Sequence, residues 1–245
     1  DADAVKAEAP PGKLRGIGYS TYTEICGLAP SRIVGPSGLG LQAGLWESAL
    51  VRVHITGGVT VYTGTSPHGQ GIDTTFAQIV ADRFGISPQL VEVVHGDTGT
   101  GPQGLNTYGS RSLAVGGESI ARSTAKLVDK AKQIAAHNLE AAPEDIELVD
   151  GKFAVKGSPD KGLTLAEVAG AAYVTMDMPD GMEPGLETTT FYDPENFVFP
   201  FGAHACIVDV DAETGKIDIV RYVSVDDCGP AINPKLIDGQ IHGGI

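Results

Sequence analysis

Basic residues are scarce in this chain. Lys and Arg number 17 against 31 Asp and Glu, the formal net charge is −14, and no stretch gathers the positive charges into a block. A nucleic-acid backbone is bound by a basic face, so no nucleic-acid partner is expected. Cysteine is scarcer. Cys26, Cys206 and Cys228 lie far apart and form no Cys-x-x-Cys pair, which gives neither a zinc site nor a disulfide framework and cannot supply the four thiolates of an iron–sulfur cluster. No apolar run reaches membrane-spanning length, and Asp1 to Lys13 has no basic segment followed by an apolar one. Neither a transmembrane segment nor a secretory leader is expected, and the expected setting is reducing and cytoplasmic. Two common nucleotide-binding loops are also missing: there is no Gly-x-x-x-x-Gly-Lys-Ser/Thr, and Gly38-Leu39-Gly40 with Gly44 has the wrong spacing for a dinucleotide fingerprint.

Glycine, in contrast, is plentiful, with 33 residues in 245, and it clusters in loops. Gly64 to Thr75 runs from a strand pattern into a helix pattern. Before it, β-branched residues alternate on both sides of Thr56-Gly57-Gly58, which predicts a hairpin. After it, Ile72, Phe76, Ile79, Val80 and Phe84 recur at helical spacing until Gly85. The loop therefore ends at a helix N-terminus, where backbone N–H groups lack partners and glycines let a ligand come close.

A second loop, His95 to Ser112, follows a short strand expected at Leu90 to Val94. It is long, has no apolar core of its own, and alternates glycine with small hydroxyl residues, a composition suited to close polar contact with a ligand. Gly116-Gly117 then opens a long helix whose apolar face is Ile120, Leu127, Val128, Ala131, Ile134, Ala135 and Leu139. Ile146 to Lys156 reads as a hairpin around Asp150-Gly151, and Leu165 to Tyr173 as a short helix. Strands return at Leu186 to Tyr192, Ala203 to Val210 and Lys216 to Val225. The turn Asp211 to Gly215 lacks the ligand spacing of a calcium loop and reads as a hairpin turn. The expected class is α+β with mixed sheets and a few packed helices. Residues 1–64 with 186–245 form a strand-rich outer subdomain, and residues 65–185 a helix-bearing inner one.

Three loops stand out in order: Gly69-Gln70-Gly71, Thr107-Tyr108-Gly109-Ser110-Arg111-Ser112, and the stretch from Cys228 to Gln240. Together with Thr23-Glu24-Ile25, Pro200-Phe201-Gly202-Ala203 and Asp226-Asp227-Cys228-Gly229, they resemble the molybdenum-binding large subunit of the xanthine oxidase family of molybdenum hydroxylases, most of all its carbon monoxide-oxidising branch. The resemblance runs over nearly the whole chain. It implies an oxidoreductase that binds molybdopterin cytosine dinucleotide with molybdenum and carries out a two-electron oxidation of a small substrate with water-derived oxygen. It also implies copper in the complete carbon monoxide-type enzyme, FAD and 2Fe–2S centres on partner subunits, and assembly as a dimer of heterotrimers.

Residue by residue, the resemblance puts Gln70 near the pterin or metal oxo group, with His68, Gly69, Gly71 and Thr74 around it. Thr107, Tyr108, Gly109, Ser110, Arg111 and Ser112 are expected at the pyrophosphate and pterin, and Cys228, Asn233 and Gln240 on the other side. For Arg111 the residues leave three destinations open, a phosphate, an acidic neighbour or solvent. The family's catalytic glutamate and substrate loops match no residue here, so no catalytic residue is expected, and the chain is expected to be a piece of a longer subunit, inactive alone. Other readings are an aldehyde or N-heterocycle hydroxylase of the same family, and an assembly module that keeps the fold without the cofactor.

Overall fold

The computed structural model describes residues 2–175 and 177–245. In chain order the elements are α1 (Ala2–Ala7), β1 (Lys13–Thr23), α2 (Ser31–Val34), β2 (Glu47–Val53), β3 (Val59–Thr63), α3 (Ile72–Phe84) and β4 (Val91–Val94). Then come α4 (Glu118–Asn138), β5 (Ile146–Val149), β6 (Lys152–Val155), β7 (Ser158–Thr164), α5 (Leu165–Val174), β8 (Glu187–Tyr192), β9 (Phe201–Asp211), β10 (Ile217–Asp227) and α6 (Pro234–Gly244). The α+β class expected from the sequence is what the strands and helices form.

The chain divides into two compact units, Gly27–Phe197 and Asp1–Cys26 with Val198–Ile245. In the larger unit the sheet order is β4-β3-β2-β8. The hairpin β2–β3 and the pair β2–β8 are antiparallel, while β3 and β4 run parallel. Parallel neighbours need a crossover, and α3 supplies it. Its buried side chains Ile72, Phe76, Ile79, Val80 and Phe84 join those of α4, Ile120, Leu127, Ala131, Ile134 and Ala135, in one core with Val51, Val53 and Val61 of the sheet. Residues 27–64 and 186–197, grouped from the sequence with the outer strands, lie in this unit, where β2 and β3 pair with each other and β2 with β8.

The small sheet β5-β6-β7 completes the larger unit. Its first turn sets both Asp150 (φ 49) and Gly151 (φ 74) in the left-handed region, as a two-residue hairpin turn requires. The strand β7 carries little apolar alternation and was not expected; its pairing with β6 makes it. α5 starts with a reciprocal cap in which the Thr164 hydroxyl and the Glu167 carboxylate each satisfy the other residue's backbone N–H.

The smaller unit is built on the antiparallel sheet β1-β9-β10, paired over the full length of β1 and β9. The turn from β9 to β10 is held by Asp211, whose carboxylate accepts from the N–H groups of Glu213 and Thr214 and from the Thr214 hydroxyl. α6 follows, capped by Asn233, whose side chain accepts from the Leu236 N–H at 3.2 Å. Among the described residues no helix is long and apolar enough to cross a membrane.

Candidate functional site

The loops after β3 and after β4 leave the C-terminal ends of two adjacent parallel strands, the position at which open α/β sheets gather ligands. They are tied to each other. The Thr107 hydroxyl accepts from the Ser66 N–H at 3.0 Å and donates to the Ser66 carbonyl at 2.8 Å. Its single proton is thereby committed, so the contact with Ser112 Oγ at 2.8 Å has Ser112 as donor. The Ser66 hydroxyl donates in turn to the Asn106 amide oxygen and lies 3.2 Å from His68 Nε2. Ser66 and Asn106, which sequence reasoning passed over, are thus the stitches between the two loops.

On the first loop, Gln70 is half-buried and accepts from the His68 N–H at 2.5 Å through Oε1. Gly69 is exposed at φ +90, with nothing within 4 Å of where a Cβ would stand. Gly71, at φ 76, begins α3 without a side-chain cap, and Thr74 is exposed on its first turn beside Asp73. Gly69 therefore makes an open shelf next to a side-chain amide and a helix start.

On the second loop, Gly109 and Ser110 take consecutive left-handed conformations, φ 54 and 51. Their carbonyls accept from the Leu28 and Gly27 N–H groups. Ser110 and Tyr108 are exposed, and Ser112 is buried at the start of a π-helical turn, Ser112–Gly117, that runs into α4. Such turns are rare overall and frequent at functional sites.

Arg111 requires a correction. Its side chain is fully buried and all five N–H donors are taken within the protein. Nε donates to the Leu28 carbonyl, Nη1 to Glu47 Oε1 at 2.6 Å and to the Asn106 carbonyl, and Nη2 to the carbonyls of Leu45 and Trp46. Of the three destinations open in the sequence, the acidic neighbour is the one reached. The Arg111 guanidinium has no donor left for a phosphate.

The third predicted group lies in the smaller unit. Cys228 is exposed and lines a groove of about 940 Å³ with Tyr22, Phe201, Asp226, Ala231 and Ile237. Asn233 caps α6, and Gln240 is exposed on that helix. Beside the groove, Tyr22 donates to Asp226 at 2.6 Å, and Ser224 and His204 also contact the same carboxylate. The Ser224, Tyr22 and His204 hydrogen bonds hold Asp226 down to about 2. The Asp226 carboxylate, as acceptor, pushes the Tyr22 phenol up to about 12. At neutral pH this wall of the groove is an anion capped by a phenol.

The model of the molybdopterin cofactor-binding domain matches residues 1–245. The chain belongs to that family. It is 44% identical over 242 residues to the carbon monoxide dehydrogenase large chain of Hydrogenophaga pseudoflava, a match covering 99% of this chain and 29% of that protein. Among solved structures, the reconstituted CO dehydrogenase from Oligotropha carboxidovorans superposes with a TM-score of 0.88 at 44% identity, over 95% of this chain and 28% of that one. Quinoline 2-oxidoreductase from Pseudomonas putida 86 gives 0.87 at 39% identity, over 99% and 30%. The chain spans less than a third of the length of these relatives.

For a molybdopterin cofactor-binding domain, the donor set of the two stitched loops is apt. It consists of a side-chain amide, the exposed His68 imidazole, hydroxyls and backbone N–H groups around an open glycine, with Arg111 buried behind them. A molybdopterin offers neutral and anionic acceptors, and such a set can hold it without a basic patch.

Proposed function

We propose that the chain forms part of the large subunit of a molybdenum hydroxylase and holds a share of a molybdopterin cytosine dinucleotide site, with carbon monoxide the favoured substrate. The observation that carries this reading is the stitching of the loop bearing Gln70 to the loop bearing Thr107 and Ser110 at the C-terminal ends of β3 and β4. The bound cofactor supplies the redox-active metal that accepts the substrate's two electrons.

The chain's own residues bind and orient. With Oε1 engaged by the His68 N–H, the Gln70 side chain keeps its NH₂ group as donor, adding no charge beside the pterin. Gly69 and Gly71 let the ligand approach the backbone, and the loop from Thr107 to Ser112 contributes N–H groups and the exposed hydroxyls of Tyr108 and Ser110, while Thr107 and Ser112 tie the loops together. Cys228, Asn233 and Gln240 are proposed as the share contributed by the smaller unit. Arg111 serves from behind the loop rather than at the ligand. Flavin and iron–sulfur partner subunits, in a dimer of heterotrimers, belong to the same proposal, as do copper and a cytoplasmic location.

The substrate is favoured as carbon monoxide by the 44% identity to carbon monoxide dehydrogenase large chains. A hydroxylase of an N-heterocycle is the second reading, favoured by the 36% identity over 235 residues to the nicotine 6-hydroxylase large subunit of Paenarthrobacter nicotinovorans. The test is elemental analysis of the native complex with acid release of the nucleotide. Molybdenum with cytidine monophosphate is expected, and copper at a similar level marks the carbon monoxide type. Molybdenum without copper supports the heterocycle or aldehyde reading. An active complex without molybdenum overturns the proposal in favour of an assembly role.

A further inference from the structure

Glu47 opens β2 and is completely buried, although a carboxylate is among the side chains least often found without water. Oε1 accepts from Arg111 Nη1 and from the Leu105 N–H at 2.7 Å. Oε2 has no hydrogen-bond partner. It sits where the two loops cross: a Cβ on Gly64 would come within 2.7 Å of Oε2 and 2.3 Å of the Gly104 Cα, and one on Gly104 within 2.4 Å of both Oε2 and the Gly64 Cα. Only glycine at both positions lets the loops pass over the carboxylate.

Arg111 closes the arrangement from the other side. Its fork gathers the carbonyls of Leu28, Leu45, Trp46 and Asn106, while its guanidinium carbon lies 5.1 Å from the centre of the Tyr108 ring. Between these anchors the loop takes three left-handed residues, Asn106, Gly109 and Ser110, two of which are not glycine. Such a conformation persists only where surroundings over-determine it. A buried ion pair with one oxygen unsatisfied is a poor source of stability, and its best use is to fix one arrangement among several.

We propose that Glu47 and Arg111 are positioning residues for cofactor capture. Together they lock residues 104–112 into the one conformation that presents Tyr108, Ser110 and the neighbouring N–H groups to the ligand, with Thr107 as the tie to the first loop. This rests on the cofactor reading above. Neither residue touches the cofactor; the pair acts through the loop.

The test uses the full-length subunit in its native complex, with cytidine monophosphate released by acid as the readout of loading. Arg111→Lys keeps the charge but not the fork, and Glu47→Gln keeps the shape but not the charge. Each is expected to lower loading at least about tenfold, the scale on which supporting partners of a bound group act. Protease cleavage within 104–112 is expected to rise in both. The double variant Glu47→Leu with Arg111→Met removes the charge pair together with the donors to the carbonyls of Leu28, Leu45, Trp46 and Asn106 and the acceptor of the Leu105 N–H; it is expected not to load, and normal loading in it overturns the proposal. Ile134→Ala, in the core away from the loop, serves as the control for lost stability and is expected to load as the unaltered protein does. Unchanged loading in Arg111→Lys and Glu47→Gln overturns the proposal, as does an equal fall in Ile134→Ala at a matched melting temperature. If the unaltered complex releases no cytidine monophosphate, the cofactor reading itself fails and takes this proposal with it.

Discussion

The two compact units spend their apolar residues in opposite ways. In Gly27–Phe197 the side chains of β2, β3, α3 and α4 fill one continuous core, with Val51, Val61, Phe76, Phe84, Ile120 and Ile134 essentially inaccessible to water. In the other unit the buried residues, among those described, are Cys26 and Asp209. Its sheet leaves Leu14, Ile217, Ile219 and Val225 between 63% and 68% exposed. The larger unit is therefore held by burial. The sheet β1-β9-β10 is held by its ladder, by the Arg15–Asp209 and Lys13–Asp218 ion pairs, and by the hydrogen bonds converging on Asp226. The two stitched loops, with Asn106 and Ser110 in left-handed conformations, lie in the packed unit, where the surroundings can over-determine them.

The largest test of this contrast is a pair of truncations. Phe76→Ala empties a fully buried site on α3, the helix that follows the first loop, and is expected to cost about 3–5 kcal/mol in denaturant unfolding. Ile219→Ala removes a side chain that is 66% exposed and is expected to stay within about 0.5 kcal/mol. Equal costs would erase the distinction between the units.

A smaller effect sharpens it. Asp226 is held down to about 2 from 3.8, so its stabilisation is complete above about 3.8 and is lost as the pH falls through 2. Tyr22 is pushed up to about 12 from 10.0, so the same hydrogen bond is retained below pH 10 and lost as the pH rises through 12. Asp209 and Asp218 are also lowered by their partners Arg15 and Lys13. Asp226→Asn is therefore expected to reduce the alkaline loss due to Tyr22, whose phenol is also pushed up by burial, and to remove part of the acid loss. Hydrogen exchange in β1, β9 and β10 across the pH range checks this, with β2 and β3 as the unchanged reference.

Much of the larger unit was legible in the sequence because its signals are local. The helical spacing from Ile72 to Phe84, the glycine at each end and the Asp150-Gly151 turn need no distant partner to be read. The strand β7 escaped because its residues carry no period, and pairing with β6 decides it. Glu47 and Arg111 are 64 residues apart, and nothing near either announces a buried pair; a glutamate opening a strand reads as solvent-facing. The glycines Gly64 and Gly104 were visible as loop residues, yet the reason for them, a carboxylate passing between two backbones, exists only in three dimensions.

The central claim is that the loops at the ends of β3 and β4 grip the cofactor together. Hydrogen exchange of the native complex, before and after the cofactor is stripped from it, tests this most directly. The account predicts that amides in residues 66–74 and 104–112 lose protection together while β2 and α4 stay protected. Unchanged exchange in both loops on stripping would contradict it.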